Sequence, residues 1–203
     1  MSTPQEMTLR TRKKAEARAK VLDTAHRLFR QASFDTVTLE AICQESSISK
    51  RTFFRYFRDK ESLVFPHREE RLEHFVWFLK QNEQVENPFD SLRAATQIFG
   101  AKYNENKEHL CAQQAVIRSS PELLAREREI DKDWEREIAN AFSARSMNNP
   151  EEDLWARVLA GAIMGVVRST MTYWFERDCQ DDLVGLGLDA LEYLERGFPH
   201  RAN

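Results

Sequence analysis

The stretch that most constrains this chain is Thr38–Lys60, TLEAICQESSISKRTFFRYFRDK. It reads as two short helices joined by a tight turn. Thr38 is placed to cap the first, because its hydroxyl can accept from a free N–H of the opening turn. Leu39 and Ile42 then share one face of Leu39–Glu45. Ser46-Ser47-Ile48 interrupts the helix, and Ser49 caps a second one, Lys50–Phe57. Phe53, Tyr56 and Phe57 recur at i, i+3 and i+4, so one face packs inward with Tyr56 at its edge. The opposite face presents Lys50, Arg51, Thr52, Phe54 and Arg55. Cations near a helix N-terminus favour phosphate, and Arg or Lys can donate to guanine N7 and O6 in the major groove. Taken alone, such a basic face is more often merely solvated. Two capped helices across so short a turn point to a helix-turn-helix.

The order of residues here resembles the DNA-binding segment of the TetR family of repressors. The resemblance rests on Phe34-Asp35-Thr36-Val37-Thr38-Leu39-Glu40-Ala41-Ile42, on Ile48-Ser49-Lys50-Arg51-Thr52-Phe53-Phe54-Arg55-Tyr56-Phe57, and on Asp59-Lys60-Glu61-Ser62-Leu63. It covers residues 11–65. Carried over by position, Thr38 resembles a phosphate-contacting threonine. Lys50, Arg51, Thr52 and Phe54 resemble base-facing and groove-facing positions, and Tyr56 and Lys60 backbone-contacting ones. Phe53 and Phe57 match core positions. Ser33 and Ser47 stand where the family usually has glycine, so two left-handed turns are expected to carry a side chain at modest cost. Phe54 stands where tyrosine is common, which replaces a hydroxyl contact by an apolar one.

Only 6 Gly and 6 Pro in 203 residues, with long amphipathic runs, indicate an all-α chain. The expected architecture is about nine helices: a three-helix helix-turn-helix head over residues 1–62 and a larger helical bundle over 63–203. Charge is divided accordingly. Residues 1–60 hold 13 Lys and Arg against 7 Asp and Glu, and the remainder 17 against 26. A basic head on an acidic body suits a protein that meets phosphate at one end. No apolar stretch is expected to reach bilayer length, and the N-terminus lacks a signal-peptide pattern. Cys43, Cys111 and Cys179 are odd in number, far apart and without metal-ligand spacing, which fits reduced thiols and a cytoplasmic location. Cys43 replaces a small core residue.

Met1–Leu9 is polar and expected to be disordered. Arg10, Arg12, Lys13, Lys14 and Arg18 form a basic approach that either solubilises the chain or follows DNA. The first helix should run Thr11–Ala32 on a stripe of Val21, Leu22, Ala25, Leu28 and Phe29. Asp59 should cap a fourth helix that Pro66 breaks and that resumes through Glu69–Gln81. His67, Glu70 and His74 share a face there. Arg71 beside them disfavours a metal, so a solvated polar face is the reading kept. After a loop at Asn82–Pro88, further helices are expected from Pro88 with Asn87 as cap, over Lys107–Arg118, and from Pro121 with Ser120 as cap. A break at Ser146–Pro150 precedes Glu151–Cys179 and Asp182–Arg196.

The helix Glu151–Cys179 is apolar on more than one side, so it needs more than one partner. It is either a central core helix or, as the resemblance implies, part of a homodimer contact with the last helix through Leu159, Ala162, Val166, Leu186 and Leu191. In the body, Phe75, Phe99, Tyr103, Trp134 and Met164 could surround a ligand, with Arg118 and Arg168 as anion partners. Ordinary core packing, with the arginines paired or reaching solvent, is the alternative. Scattered positions, among them Glu70-Arg71-Leu72, the Ser-Ser-Pro-Glu-Leu opening of a helix and Trp134-Glu135, resemble a TetR subgroup with an acyl-CoA-like ligand domain that includes mycofactocin-system regulators.

The residues show no nucleophile–base pair, no phosphate-cradling glycine loop and no metal cluster, so no enzyme, metal or cofactor is expected. The reading that results is a DNA-binding transcriptional regulator, a homodimeric repressor of a palindromic operator released by a small amphipathic, acyl-CoA-like effector. The partners are double-stranded DNA and a second copy, and no membrane. The alternatives are a helical protein-interaction adaptor and a TetR-like activator without a small ligand.

Overall fold

A computed structural model describes residues 9–82, 87–145 and 153–197. Most of the expected N-terminal tail, part of the Asn82–Pro88 loop and the Ser146–Pro150 break lie outside the described residues. Among the described residues the chain is all-helical: α1 Leu9–Gln31, α2 Leu39–Ser46, α3 Lys50–Phe54, a 3-10 turn Glu61–Leu63, α4 Arg68–Gln81, α5 Pro88–Glu105, α6 Lys107–Arg118, α7 Pro121–Arg145, α8 Leu154–Glu176 and α9 Leu183–Arg196.

The chain divides into two compact units. The first takes in residues through Pro66 and also Ala115–Leu124. Its core joins Val21, Ala25 and Phe29 of α1 to Phe34, Ile42, Phe53, Phe57 and Leu63, all buried. Leu63, Val64 and Phe65 are buried too, which draws the chain beyond residue 62 into this unit. The end of α6 and the start of α7 belong to it as well. Ser120, expected as a helix cap, donates its hydroxyl to Asp35 at 2.8 Å. Asp59 caps only the 3-10 turn, accepting from the Ser62 amide, because Pro66 follows too soon for a longer helix. Arg12 lies in α1, which pairs it with Glu16 at 3.3 Å, so from Leu9 the basic approach is helical rather than an extended arm.

The second unit comprises residues 67–114 and 125–203. Its main cluster gathers Leu79, Leu92, Ile138, Phe142, Ala156, Ala160, Ile163, Met164 and Leu191. Helices α5 and α9 pack closely. A Cβ at Gly187 would come within 2.7 Å of Thr96 Cγ2, so glycine there permits the approach. Asp153 and Asp182 cap α8 and α9 with their carboxylates.

Two expectations about cysteine and glycine replacement change here. Cys111 and Cys179 form a disulfide across 68 residues of sequence, so they are not independent thiols. Only tertiary structure brings them together, since α6 and the turn after α8 share a cluster with Trp174 and Leu183. Ser47 adopts the left-handed conformation at φ 59. Ser33 does not; it turns the chain instead, accepting from Thr36 through its carbonyl oxygen.

Helix α8 is long and apolar enough to cross a bilayer by length and composition, contrary to the expectation of no such stretch. Leu154, Trp155, Val158, Val167 and Tyr173 are exposed along it. Ala156, Ala160, Ile163, Met164 and Trp174 are its buried residues.

Candidate nucleic-acid interface

The interface is built on two capped helices. Thr38 Oγ1 accepts from the Ala41 amide at 3.2 Å and starts α2. Ser49 Oγ accepts from the Thr52 amide at 3.1 Å and starts α3. Each bond satisfies an N–H that the helix leaves open. Helix α3 is shorter than the sequence implies. It ends at Phe54, and Arg55–Phe57 continue as a turn in which the Tyr56 and Phe57 amides still donate to the Phe53 carbonyl.

That turn does not change which side faces in. Phe53 and Phe57 are buried with ring centroids 5.3 Å apart. Lys50, Arg51, Phe54 and Arg55 are exposed and Thr52 is half-buried. Phe54 is 56% exposed, its ring set edge-on to Phe53 at 5.4 Å, so an aromatic face stands among the cations. Arg55 donates to the Tyr56 hydroxyl at 2.8 Å and stacks over its ring at 4.8 Å, which holds the two side chains as one unit. Lys50 pairs with Glu40, whose carboxyl it holds below the ordinary range by a hydrogen bond. The pair is exposed, so a phosphate can displace the carboxylate at little cost.

Lys60 has a different principal role from the one its position implies. Its ammonium donates to the Phe34 and Val37 carbonyls at 2.8 and 3.1 Å and lies 4.0 Å over the Phe34 ring. Two of its three donors therefore tie the loop before Thr38 to the chain after α3. It braces the loop that leads into α2. Burial pushes the Cys43 thiol up, so it is a core side chain and not a reactive thiolate.

In the body, Phe75, Phe99 and Trp134 come together, while Tyr103 and the two arginines lie elsewhere. Phe75 lies 5.6 Å from Phe99 and 5.3 Å from Trp134. Met164 is buried in the adjoining cluster. Tyr103 packs toward Trp174 and Cys179, and its hydroxyl accepts from Arg71 at 3.3 Å. Arg118 is exposed and falls in the first unit, whereas these rings fall in the second. Arg168 is also exposed and pairs with Asp131 at 3.3 Å. Burial raises the Asp131 pKa, against the Arg168 charge that lowers it. Arg68 and Arg71 are the cations turned inward, a role the sequence reading did not give them. Their i, i+3 spacing with Phe75 and Phe78 further along the same face was the available signal.

His67 pairs with Glu70, and His74 stacks against Trp77, so the polar residues of that face have partners of their own. Of the residues expected at a dimer contact, Leu159, Ala162, Val166 and Leu186 are half-buried. Leu191 is 4% exposed and belongs to the core of its own chain, where α9 meets the main cluster, so it is withdrawn from that contact.

Two family models match the chain in order. The first, described as bacterial regulatory proteins of the tetR family, covers residues 21–65, and the second, described as the MftR C-terminal domain, covers residues 86–199. MftR of Mycobacterium tuberculosis (strain ATCC 25618 / H37Rv), whose name assigns it to transcriptional regulation of mycofactocin biosynthesis, is 26% identical over 180 residues, 84% of this chain and 90% of that protein. Among solved structures, the transcriptional regulator FadR from Bacillus subtilis in complex with stearoyl-CoA aligns with a TM-score of 0.60 at 20% identity, covering 90% of this chain and 99% of that one. Thermus thermophilus FadR in complex with lauroyl-CoA aligns with a TM-score of 0.59 at 18% identity, covering 92% and 97%. At such identities these two structures speak to the fold alone. The chain belongs to the tetR family of bacterial regulatory proteins, in the branch with an MftR C-terminal domain, and is a DNA-binding transcriptional regulator.

Proposed function

We propose that this regulator is a homodimeric repressor that binds a palindromic operator and leaves it when a small amphipathic effector of acyl-CoA type enters the body. The observation that carries the DNA half is the exposed face of Lys50, Arg51, Phe54 and Arg55 on a helix capped by Ser49. The effector half draws on the Phe75, Phe99 and Trp134 cluster, and on the acyl-CoA ligands named with the two FadR structures. By linkage, effector and operator then weaken each other's binding by the same factor.

Selection of random duplex DNA on the purified protein, with and without lauroyl-CoA, tests both halves. A palindromic motif lost on adding the ligand is the expected result. A palindrome indifferent to ligand removes the effector, and no enrichment at low salt sends the chain to the adaptor class.

Arg51 is assigned to base reading. Arg51→Ala should relax preference among sequences at one position of the half-site, with a loss of about 1–3 kcal/mol on the preferred base. Tyr56→Ala should weaken all sequences alike. A uniform loss for Arg51→Ala in competition binding would move it to the phosphate side.

For the dimer, Leu154, Val158, Ala162, Gly165 and Tyr173 recur on one face of α8. Leu154 and Val158 are 73% and 62% exposed, and a Cβ at Gly165 would meet nothing within 4 Å. A second copy can therefore approach α8 closely along this strip. Two copies related by a two-fold axis would present their recognition helices about 34–36 Å apart. Val158→Asp should yield folded monomers with at least tenfold weaker operator binding, read by sedimentation and anisotropy. A dimer that survives this change must use another face.

A further inference from the structure

Among the described residues, two buried side-chain nitrogens have no hydrogen-bond acceptor: Arg68 Nη1 and Arg71 Nε. Both belong to α4, and both belong to the second unit. A guanidinium stays charged at every accessible pH and carries donors only. Leaving such an N–H buried without an acceptor is disfavoured, more so for a charged group than a neutral one. The protein groups nearby answer only part of the demand. Arg71 Nη1 donates to the Tyr103 hydroxyl at 3.3 Å, and Arg68 Nη2 reaches Glu69 at 3.5 Å, a long contact. Neither supplies a second negative charge to the inner side.

The rest of that helix face is apolar. Phe75 follows Arg71 by four residues and Phe78 by seven, so all four side chains share one side of α4. Phe75 meets Phe99 and Trp134, and Phe78 meets Phe99 at 6.0 Å. One face thus passes from two under-satisfied cations to a cluster of rings over roughly 15 Å between Arg68 and Phe78, at about 1.5 Å of rise per residue. This is a lengthwise amphipathic surface, matched to a molecule with an anionic head and an apolar tail.

We infer that Arg68 and Arg71 bind the anionic headgroup of the effector, a carboxylate or phosphate, with its tail along Phe75, Phe78, Phe99 and Trp134. This rests on the effector-released reading proposed above, and replaces Arg118 and Arg168 in the role the sequence suggested for them. A fork of N–H donors meets either oxyanion bidentately, which a lysine would not reproduce.

The test is calorimetric titration of full-length protein with laurate, lauroyl-CoA and 1-dodecanol, which share one tail length. It is paired with release of a duplex selected by the wild-type protein. The expected result is at least tenfold tighter binding of one or both anions than of the alcohol. Arg68→Gln/Arg71→Gln should remove that advantage while leaving dodecanol binding unchanged, and Arg71→Lys should fall between. Binding of laurate assigns the carboxylate, and binding of lauroyl-CoA alone assigns the phosphates. Unchanged dodecanol binding and an unchanged melting temperature show that the variants are folded. Equal binding of anions and alcohol, or anion binding unaffected in the double variant, overturns the arginine site and leaves the effector reading standing if DNA is still released. Arginine-dependent binding without DNA release removes the effector reading and keeps the anion site. No binding of any of the three ligands removes both.

Discussion

Phe53→Ala should abolish operator binding and unfold the head while the body stays folded. Phe53 is fully buried between Phe57 and the base of Phe54, with ring centroids at 5.3 and 5.4 Å. Truncating a phenylalanine in such a site removes the transfer free energy of the ring and leaves a cavity, about 3–5 kcal/mol together. That approaches the lower end of the whole stability of a small domain, about 5–15 kcal/mol. The main body cluster, built on Ile138, Phe142 and Ile163, belongs to the other unit and does not include this ring. Calorimetry should therefore show one transition displaced to low temperature and one retained, with DNA retention lost at every salt concentration. A variant that melts as wild type and still binds operator would mean that the two helices of the motif are held by something other than their shared aromatic core.

The Cys111–Cys179 bond should be the largest single stabiliser of the body. It closes 68 residues, and chain-entropy arguments give about 4 kcal/mol for a loop of that length. Cys111→Ser, Cys179→Ser and the double change should each lower the melting temperature of the body by roughly 8–16 °C. The three should nearly coincide, because either half of the bond removes all of it. Tris(2-carboxyethyl)phosphine should shift wild type toward the same value and leave the double variant where it is. Cys43, buried alone in the head, makes Cys43→Ser a control for general effects of added hydroxyls. A double variant that melts with wild type would show that the packing of Trp174 and Leu183 around the two sulfurs carries that region without the bond.

Much of the fold was legible because its signals act over a few residues. The caps at Thr38, Ser49 and Asn87 each bond an amide two or three positions ahead, so residue type and spacing decide them. Pro66 breaks the chain between the 3-10 turn and α4 by steric rule, and Pro88 opens α5 where its missing N–H costs nothing. The inward face of Phe53 and Phe57 and the outward face of Lys50, Arg51 and Phe54 follow from helical period alone. These local facts were enough for the fold class and for which residues of the motif face out.

What lay beyond the sequence was always a question of which partner an exposed or apolar group finds. Periodicity marks Leu191 as apolar but does not say that its own chain covers it. Arg168 sits among apolar neighbours in sequence, yet its guanidinium leaves the helix for Asp131, while Arg71 turns inward to Tyr103. Lys60 reads as a free cation until the carbonyls of Phe34 and Val37 are brought beneath it. Residues 115–124 joined the head, and Cys111 met Cys179, through packing between segments far apart in the chain. A helix's own hydrogen bonds reach four residues and set where it begins and ends. The choice of neighbour is made by burial and charge summed over the whole domain, and only the assembled structure carries that sum.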